Sequence, residues 1–135
     1  EPVTFTSIGS NGQPIYHTNV MMCIGAAFAM VGLEMIPNKA ERQRVRARLD
    51  KTEKEIVELS ADQIANFAGN AIELHNERGE KLLVLSSRAH QALSAQQREK
   101  LSRYARLVPL QLPTIELGGG SARCMIATIH LPPRS

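Results

Sequence analysis

The segment Gly118-Gly119-Gly120-Ser121-Ala122-Arg123-Cys124-Met125 has the residue types of a nucleophile mount. Glycines let the backbone take conformations barred to other residues and let a ligand come close. The apolar alternation Ile126-Ala127-Thr128-Ile129-His130-Leu131 then predicts a strand beginning at the cysteine. The competing reading is a glycine turn into a strand whose cysteine merely packs, because free cysteine is among the most buried residue types. A spacing bears on the choice. Pro14-Ile15-Tyr16-His17-Thr18-Asn19-Val20-Met21-Met22 reads as a strand with a histidine near its start, and Asn66-Phe67-Ala68-Gly69-Asn70-Ala71-Ile72 brings an asparagine into the start of another. His17 and Asn70 lie 53 residues apart, and Asn70 and Cys124 lie 54 apart. Each precedes an apolar stretch, and basic, helix-patterned segments lie between, as in tandem copies of one supersecondary unit. Units set around an axis bring equivalent positions together. A histidine, an asparagine and a cysteine would then meet as a nucleophile and base constellation that linear sequence does not display.

The elements that must position these residues follow from caps and alternation. Asn38 with Glu41, Ser60 with Gln63 and Ser94 with Gln97 have the form of capping boxes and predict helix starts after Asn38, Ser60 and Ser94. Val3 to Thr6 reads as a short strand. The apolar run Val20 to Val31, interrupted by Gly25, reads as two buried strands joined by a turn. Ile56 to Leu59 makes a strand, and Ala71 to Asn76 with Lys81 to Ser86 flank Glu77-Arg78-Gly79-Glu80 as a hairpin. Arg88 to Leu93 and Ala95 to Ala105 read as helix and Leu107 to Leu112 as strand, after which Pro113 leads to the glycine turn. The order is mixed α/β, each unit running strand, hairpin partner, helix, strand, with about two and a half units in the chain.

Composition narrows the classes of function. At 135 residues and 14.8 kDa the chain is the size of one domain. With 43% hydrophobic and 21% charged residues it has the make-up of a folded protein. No Trp and 4% aromatics argue against stacking platforms for single-stranded nucleic acid. The net charge of +3 is concentrated in Lys39 to Lys51, where acids are interleaved. Val45, Leu49, Thr52 and Ile56, in and just after that segment, fall at helical spacing, so the arginines read as a solvated outer face and no nucleic-acid partner is expected. Cys23 and Cys124 are too few for a disulfide scaffold and point to a reducing, cytoplasmic compartment. Cys23 sits in an apolar run and reads as core; that run is too short for a membrane span, and no membrane partner is expected. Glu34, Glu73 and Glu116 read as surface or strand-edge charges, and His75, His90 and His130 as bystanders. No metal-ligand spacing is present.

The Tyr-His-Thr-Asn segment, Asn66-Phe67-Ala68-Gly69-Asn70 and the glycine run ending in Arg123-Cys124-Met125 together resemble the C-terminal half of the guanidino-group-modifying superfamily. That superfamily holds arginine deiminases, dimethylarginine dimethylaminohydrolases and amidinotransferases, and within it the likeness is nearest to the bacterial citrulline-utilisation hydrolase, an amidinotransferase-like branch. The resemblance implies part of a five-bladed α/β propeller, the pentein fold, with residues 1–135 forming the C-terminal part of a single catalytic domain. It implies Cys124 as nucleophile, His17 as general acid and base, and Asn19, Asn70 and Arg123 as substrate-binding residues, with no cofactor and no metal. The deiminase pattern His-x-Asp is His17-Thr18-Asn19 here, and an asparagine suits a neutral ureido group better than a guanidinium, which favours citrulline.

The expected reaction is hydrolysis of a guanidino or ureido C–N bond through a cysteine-linked intermediate. A free thiol titrates near about 8.5, so it needs a cationic neighbour to act as a nucleophile at neutral pH. The alternative function is a non-catalytic α/β assembly or binding module of the same architecture. About two and a half units do not close a ring of five, so a fragment, a proteolysed chain or one partner of a split protein is expected. The expected partners are the small substrate and either the N-terminal half or a second chain, a homo-oligomer being one such arrangement.

Overall fold

A computed structural model describes residues 2–128. Its elements are β1 (Met22–Ile24), β2 (Phe28–Val31), α1 (Lys39–Asp50), β3 (Glu55–Glu58), α2 (Ala61–Ala65), β4 (Ile72–His75), β5 (Lys81–Ser86), α3 (Ser87–Ala92), α4 (Ala95–Ser102), β6 (Arg106–Leu110) and α5 (Pro113–Leu117). Short 3-10 turns occupy Thr18–Val20, Leu33–Met35 and Ala122–Met125.

The strands form two three-stranded sheets of one topology, β1-β2-β3 and β4-β5-β6. In each, a hairpin gives an antiparallel pair and a helical crossover returns a third strand parallel to the second. The repeated unit expected from the sequence is therefore present twice among the described residues, as strand, hairpin partner, helix, strand. Equivalent register points are Phe28 beside Glu55 in the first sheet and Leu82 beside Arg106 in the second. Pro109 lies on β6, which among the described residues pairs with β5 alone, so its missing N–H is placed at a sheet edge there.

All three predicted helix starts are found. Ser60 and Ser94 close full capping boxes with Gln63 and Gln97. Asn38 caps α1 through Oδ1, accepting from the Ala40 and Glu41 N–H groups, but Glu41 does not reach back. Its carboxylate instead accepts the Thr6 N–H at 2.8 Å, while Arg44 donates to the Thr4 carbonyl at 3.3 Å. Hence Val3 to Thr6 is not the strand the sequence suggested: its backbone groups are taken by side chains of α1. Pro113 opens α5 rather than a plain turn, as its fixed φ allows at a first helical position.

One apolar core joins the two units, running from Met21, Cys23, Phe28 and Met30 to Leu83, Leu85, Leu93 and Leu101. Polar contacts cross the same boundary. Tyr104 donates its hydroxyl to Glu55 at 2.7 Å, and Lys100 pairs with Glu55 at 3.2 Å. Glu55 is held below the usual carboxylate range chiefly by the Tyr104 hydrogen bond, then by Lys100. The capping glutamines also meet. Gln63 Nε2 donates to Gln97 Oε1 at 2.7 Å, and Gln97 Nε2 donates back to Gln63 Oε1 at 3.1 Å.

Cys23 is fully buried, as expected, and burial pushes its thiol from an ordinary 9.0 up to about 11, with Arg123 opposing and Glu73 adding. A group whose folded pKa is raised stabilises the fold below its unfolded value and loses that contribution as pH climbs to the folded one. We therefore expect about 2–3 kcal/mol of stability to disappear between about pH 9 and pH 11, at about 1.4 kcal/mol per pKa unit. Denaturant unfolding across that range should show the slope in the wild type and a flatter one in Cys23→Ala. Gln97→Ala strands the Ser94 N–H, the Glu58 carbonyl and the Gln63 amide, and should cost about 2–3 kcal/mol. The double variant with Gln63→Ala should cost less than the sum of the two single changes in the same assay.

Candidate active site

Cys124 does not begin a strand. It lies inside the 3-10 turn Ala122–Met125, where its N–H donates to Ser121 O at 3.1 Å and the Ile126 N–H donates to Arg123 O at 3.2 Å. No strand follows through Thr128, and Ile129 to Leu131, with His130, fall outside the described residues. The turn is reached through Gly119, whose φ of +84° needs a residue without a side chain. It is anchored by Ser121, fully buried, whose hydroxyl donates to Glu116 at 3.1 Å. Glu116 thus ties α5 to the glycine run rather than serving as a surface charge. The cysteine itself is exposed.

The Asn66 to Asn70 loop leaves α2 under strain. Phe67 has φ of +64°, uncommon for a bulky side chain, and its ring is covered by the Arg88 guanidinium at 5.5 Å from the centroid. Arg88 also donates to Asn66 Oδ1 at 2.8 Å. Two residues on, Gly69 presses on the backbone of Val20 and Met21. A Cβ there would lie 2.4 Å from the Val20 oxygen. Only glycine permits this approach, and it sets the next residue, Asn70, between two other segments.

His17 also departs from expectation. It caps the 3-10 turn Thr18–Val20 rather than starting a strand, and β1 begins at Met22. The reason is local: a side chain that accepts from the backbone two residues on offers a turn in place of a ladder. Nδ1 accepts the Asn19 N–H at 3.1 Å, so in the neutral ring the hydrogen is on Nε2. The imidazole is exposed.

Asn70, 4% exposed, connects the segments. Its Nδ2 donates to Cys124 Sγ at 3.2 Å and to Asn19 O at 3.3 Å, and its Oδ1 accepts the Arg123 N–H at 3.1 Å. The His17 turn, the Asn70 loop and the Cys124 turn are thereby brought to one place. Asn19 takes part through its backbone. Among the described residues its carboxamide has no hydrogen-bond partner. The Arg123 guanidinium acts on Cys23, lowering its thiol against the effect of burial.

Glu73, on β4, accepts the Ala26 N–H at 3.3 Å, and Glu34 accepts the Ala61 N–H, so both acids brace backbone. His75 is exposed at the end of β4 and His90 lies in α3. No group of three or more His, Cys, Asp or Glu able to hold a metal ion occurs among the described residues. No helix there is long and apolar enough to cross a membrane. Gly69 and Phe67 escaped the sequence reading, since one depends on a segment distant in sequence and the other on a backbone angle, and Ser121 escaped it because its acceptor Glu116 belongs to α5, a helix that the sequence reading did not include.

The family described as N,N dimethylarginine dimethylhydrolase, eukaryotic, matches residues 1–131. No curated protein matches the chain. Among solved structures it is similar to apo ArgZ, an arginine dihydrolase from the ornithine-ammonia cycle in Cyanobacteria, with a TM-score of 0.64 and 18% identity over 88% of this chain and 17% of that one. It is similar to the ArgZ N-terminal domain, a cysteine-to-serine mutant bound to substrate, with a TM-score of 0.58 and 18% identity over 80% of this chain and 36% of that one. The ternary complex of AgrE with ornithine and NAD+ gives a TM-score of 0.64 at 15% identity, over 90% of this chain and 16% of that one. The chain therefore spans about a third or less of these neighbours, and the likeness is one of fold.

The Gly69 approach gives a direct test. Gly69→Ala must part the Asn70 loop from Val20 and Met21, since the obstructing atoms are backbone. A loss of about 2–4 kcal/mol in denaturant unfolding is expected, in the range for overpacking. Gly12→Ala, with φ of +76° but open space around it, should cost clearly less.

Proposed function

The chain belongs to the N,N dimethylarginine dimethylhydrolase family, and on that premise we propose that it carries the nucleophile side of a site that hydrolyses a guanidino or ureido C–N bond. The observation that supports this most is the 3.2 Å hydrogen bond from Asn70 Nδ2 to Cys124 Sγ, which sets an exposed sulfur beside the turn that His17 caps. The two sheets of one topology fit a ring of such units, five in the propeller that the resemblance implies, closed by chain beyond these residues.

In the reaction, the Cys124 thiolate adds to the planar carbon. The C–N bond to the leaving amine breaks as that nitrogen takes a proton from Nε2 of the His17 imidazolium, leaving the ring neutral and the carbon joined to sulfur. His17 then takes a proton from water, whose oxygen attacks the S-linked carbon and releases the thiolate. Nδ1 accepts the Asn19 N–H while the ring is neutral, so the acid is the imidazolium, formed when Nδ1 releases the Asn19 N–H and takes a second proton. The Arg123 guanidinium next in chain to Cys124 offers a carboxylate partner for the substrate. The neutral Asn19 carboxamide can hydrogen-bond a ureido group but cannot compensate a guanidinium, so citrulline is favoured over arginine and its methylated forms.

The full-length protein, assayed with citrulline, arginine and dimethylarginine, should lose at least about a thousandfold in kcat on Cys124→Ser and about a hundredfold or more on His17→Ala. Acid quench during turnover should trap an adduct on the Cys124 peptide by mass spectrometry. Turnover that survives both substitutions overturns the assignment.

A further inference from the structure

We infer that Asn70 is a positioning residue for the Cys124 sulfur and not a ligand of the substrate; this rests on Cys124 being the nucleophile. The carboxamide has two N–H donors, both given to protein, and a carbonyl oxygen that accepts the Arg123 N–H. The orientation is fixed chemically. Oδ1 faces the Arg123 N–H, which can only donate, while Nδ2 faces Asn19 O, which can only accept. Turning the amide over would set donor against donor and acceptor against acceptor. The second N–H is therefore necessarily the group presented to Sγ.

Two consequences follow for the chemistry. First, a sulfur in an exposed turn is free to rotate about its Cα–Cβ bond, and the Asn70 bond selects one direction for it. Second, a donated hydrogen bond favours the charged acceptor over the neutral one, so the amide favours the attacking thiolate over the thiol. With both N–H groups given to protein and the side chain nearly inaccessible, Asn70 has no donor left to offer a substrate in this arrangement. Its partners are main-chain groups of Asn19 and Arg123, so the same amide holds the two turns at a fixed separation.

The test uses the full-length protein with Asn70→Asp and Asn70→Ala. Asn70→Asp keeps the shape and the acceptor for the Arg123 N–H, but sets carboxylate oxygen against Sγ and Asn19 O. We expect kcat to fall about tenfold to a hundredfold in Asn70→Ala and further in Asn70→Asp, with KM changed by less than about threefold. The rate of Cys124 alkylation by iodoacetamide at neutral pH, without substrate, should fall in the same order, with the site of labelling read by peptide mass. An increase in KM with kcat retained would make Asn70 a substrate ligand and overturn the inference. So would unchanged alkylation in a variant whose thermal unfolding matches the wild type. If neither variant folds, Asn70→Ser, which keeps a short donor, is the deciding case: activity equal to Cys124→Ser overturns the inference, and partial recovery of alkylation and kcat supports it. Failure of the function reading itself is distinguished by Cys124→Ser retaining turnover.

Discussion

Two glutamine side chains hold the units of this protein in register, and the site depends on where they hold them. Gln63 accepts from the Ser60 N–H and from Gln97, and donates to Ala92 O and to Gln97. Gln97 accepts from the Ser94 N–H and from Gln63, and donates to Glu58 O and to Gln63. Every donor and acceptor of both amides is used, and each satisfies a helix start on one side and, on the other, the last carbonyl of α3 at Ala92 or of β3 at Glu58. A partly buried amide with all its bonds made is worth keeping in place, because breaking one bond strands several groups at once. This fixes α2 against α4, and so fixes the point from which the Asn66 to Asn70 loop departs.

From that point the loop has little freedom. It must turn sharply, which it does through the positive φ of Phe67, and it must pass close to the Val20 carbonyl, which it does through Gly69. Strain of about 1–3 kcal/mol at a residue like Phe67 persists only where surrounding contacts outweigh it. Here the Arg88 guanidinium covers the ring and its Nε holds the neighbouring Asn66 side chain. The result is a carboxamide delivered to a buried place between the main chains of Asn19 and Arg123.

The legible part of this arrangement was the local part. Ser60 with Gln63 and Ser94 with Gln97 announced their helices because a capping box needs residues only three apart. The hairpin around Gly79 and the two strands around Gly25 were equally local, and the period that links His17 to Asn70 matches two units whose first strands begin at Met22 and Ile72, while the strand expected after Cys124 extends outside the described residues. What the sequence could not display was the competition for backbone groups. Val3 to Thr6 has the composition of a strand, but Glu41 and Arg44 reach its N–H and carbonyl first. His17 and Cys124 stand beside apolar runs, yet His17 caps a 3-10 turn and Cys124 lies within one, because a side chain or a neighbouring carbonyl two or three residues away closes the turn before a strand can start. The mutual bond of Gln63 and Gln97 was likewise invisible, since the cap of each helix is explained without the other.

The two cysteines show what such a turn contributes. Cys23 lies on a strand, enclosed by the core, and burial moves its thiol to about 11, where thiolate is scarce at any physiological pH. Had Cys124 begun a strand of the same core, it would share that environment and be equally inert. Placing it in a short turn leaves the sulfur exposed, but exposure alone would also leave it undirected. Ser121 and Gly119 set the turn from below through α5, and the Asn70 amide sets the sulfur from the side. Exposure and direction of the sulfur are thus supplied by different residues, and the irregular backbone at His17, Asn70 and Cys124 is the means by which a regular repeat of sheets brings these three segments together.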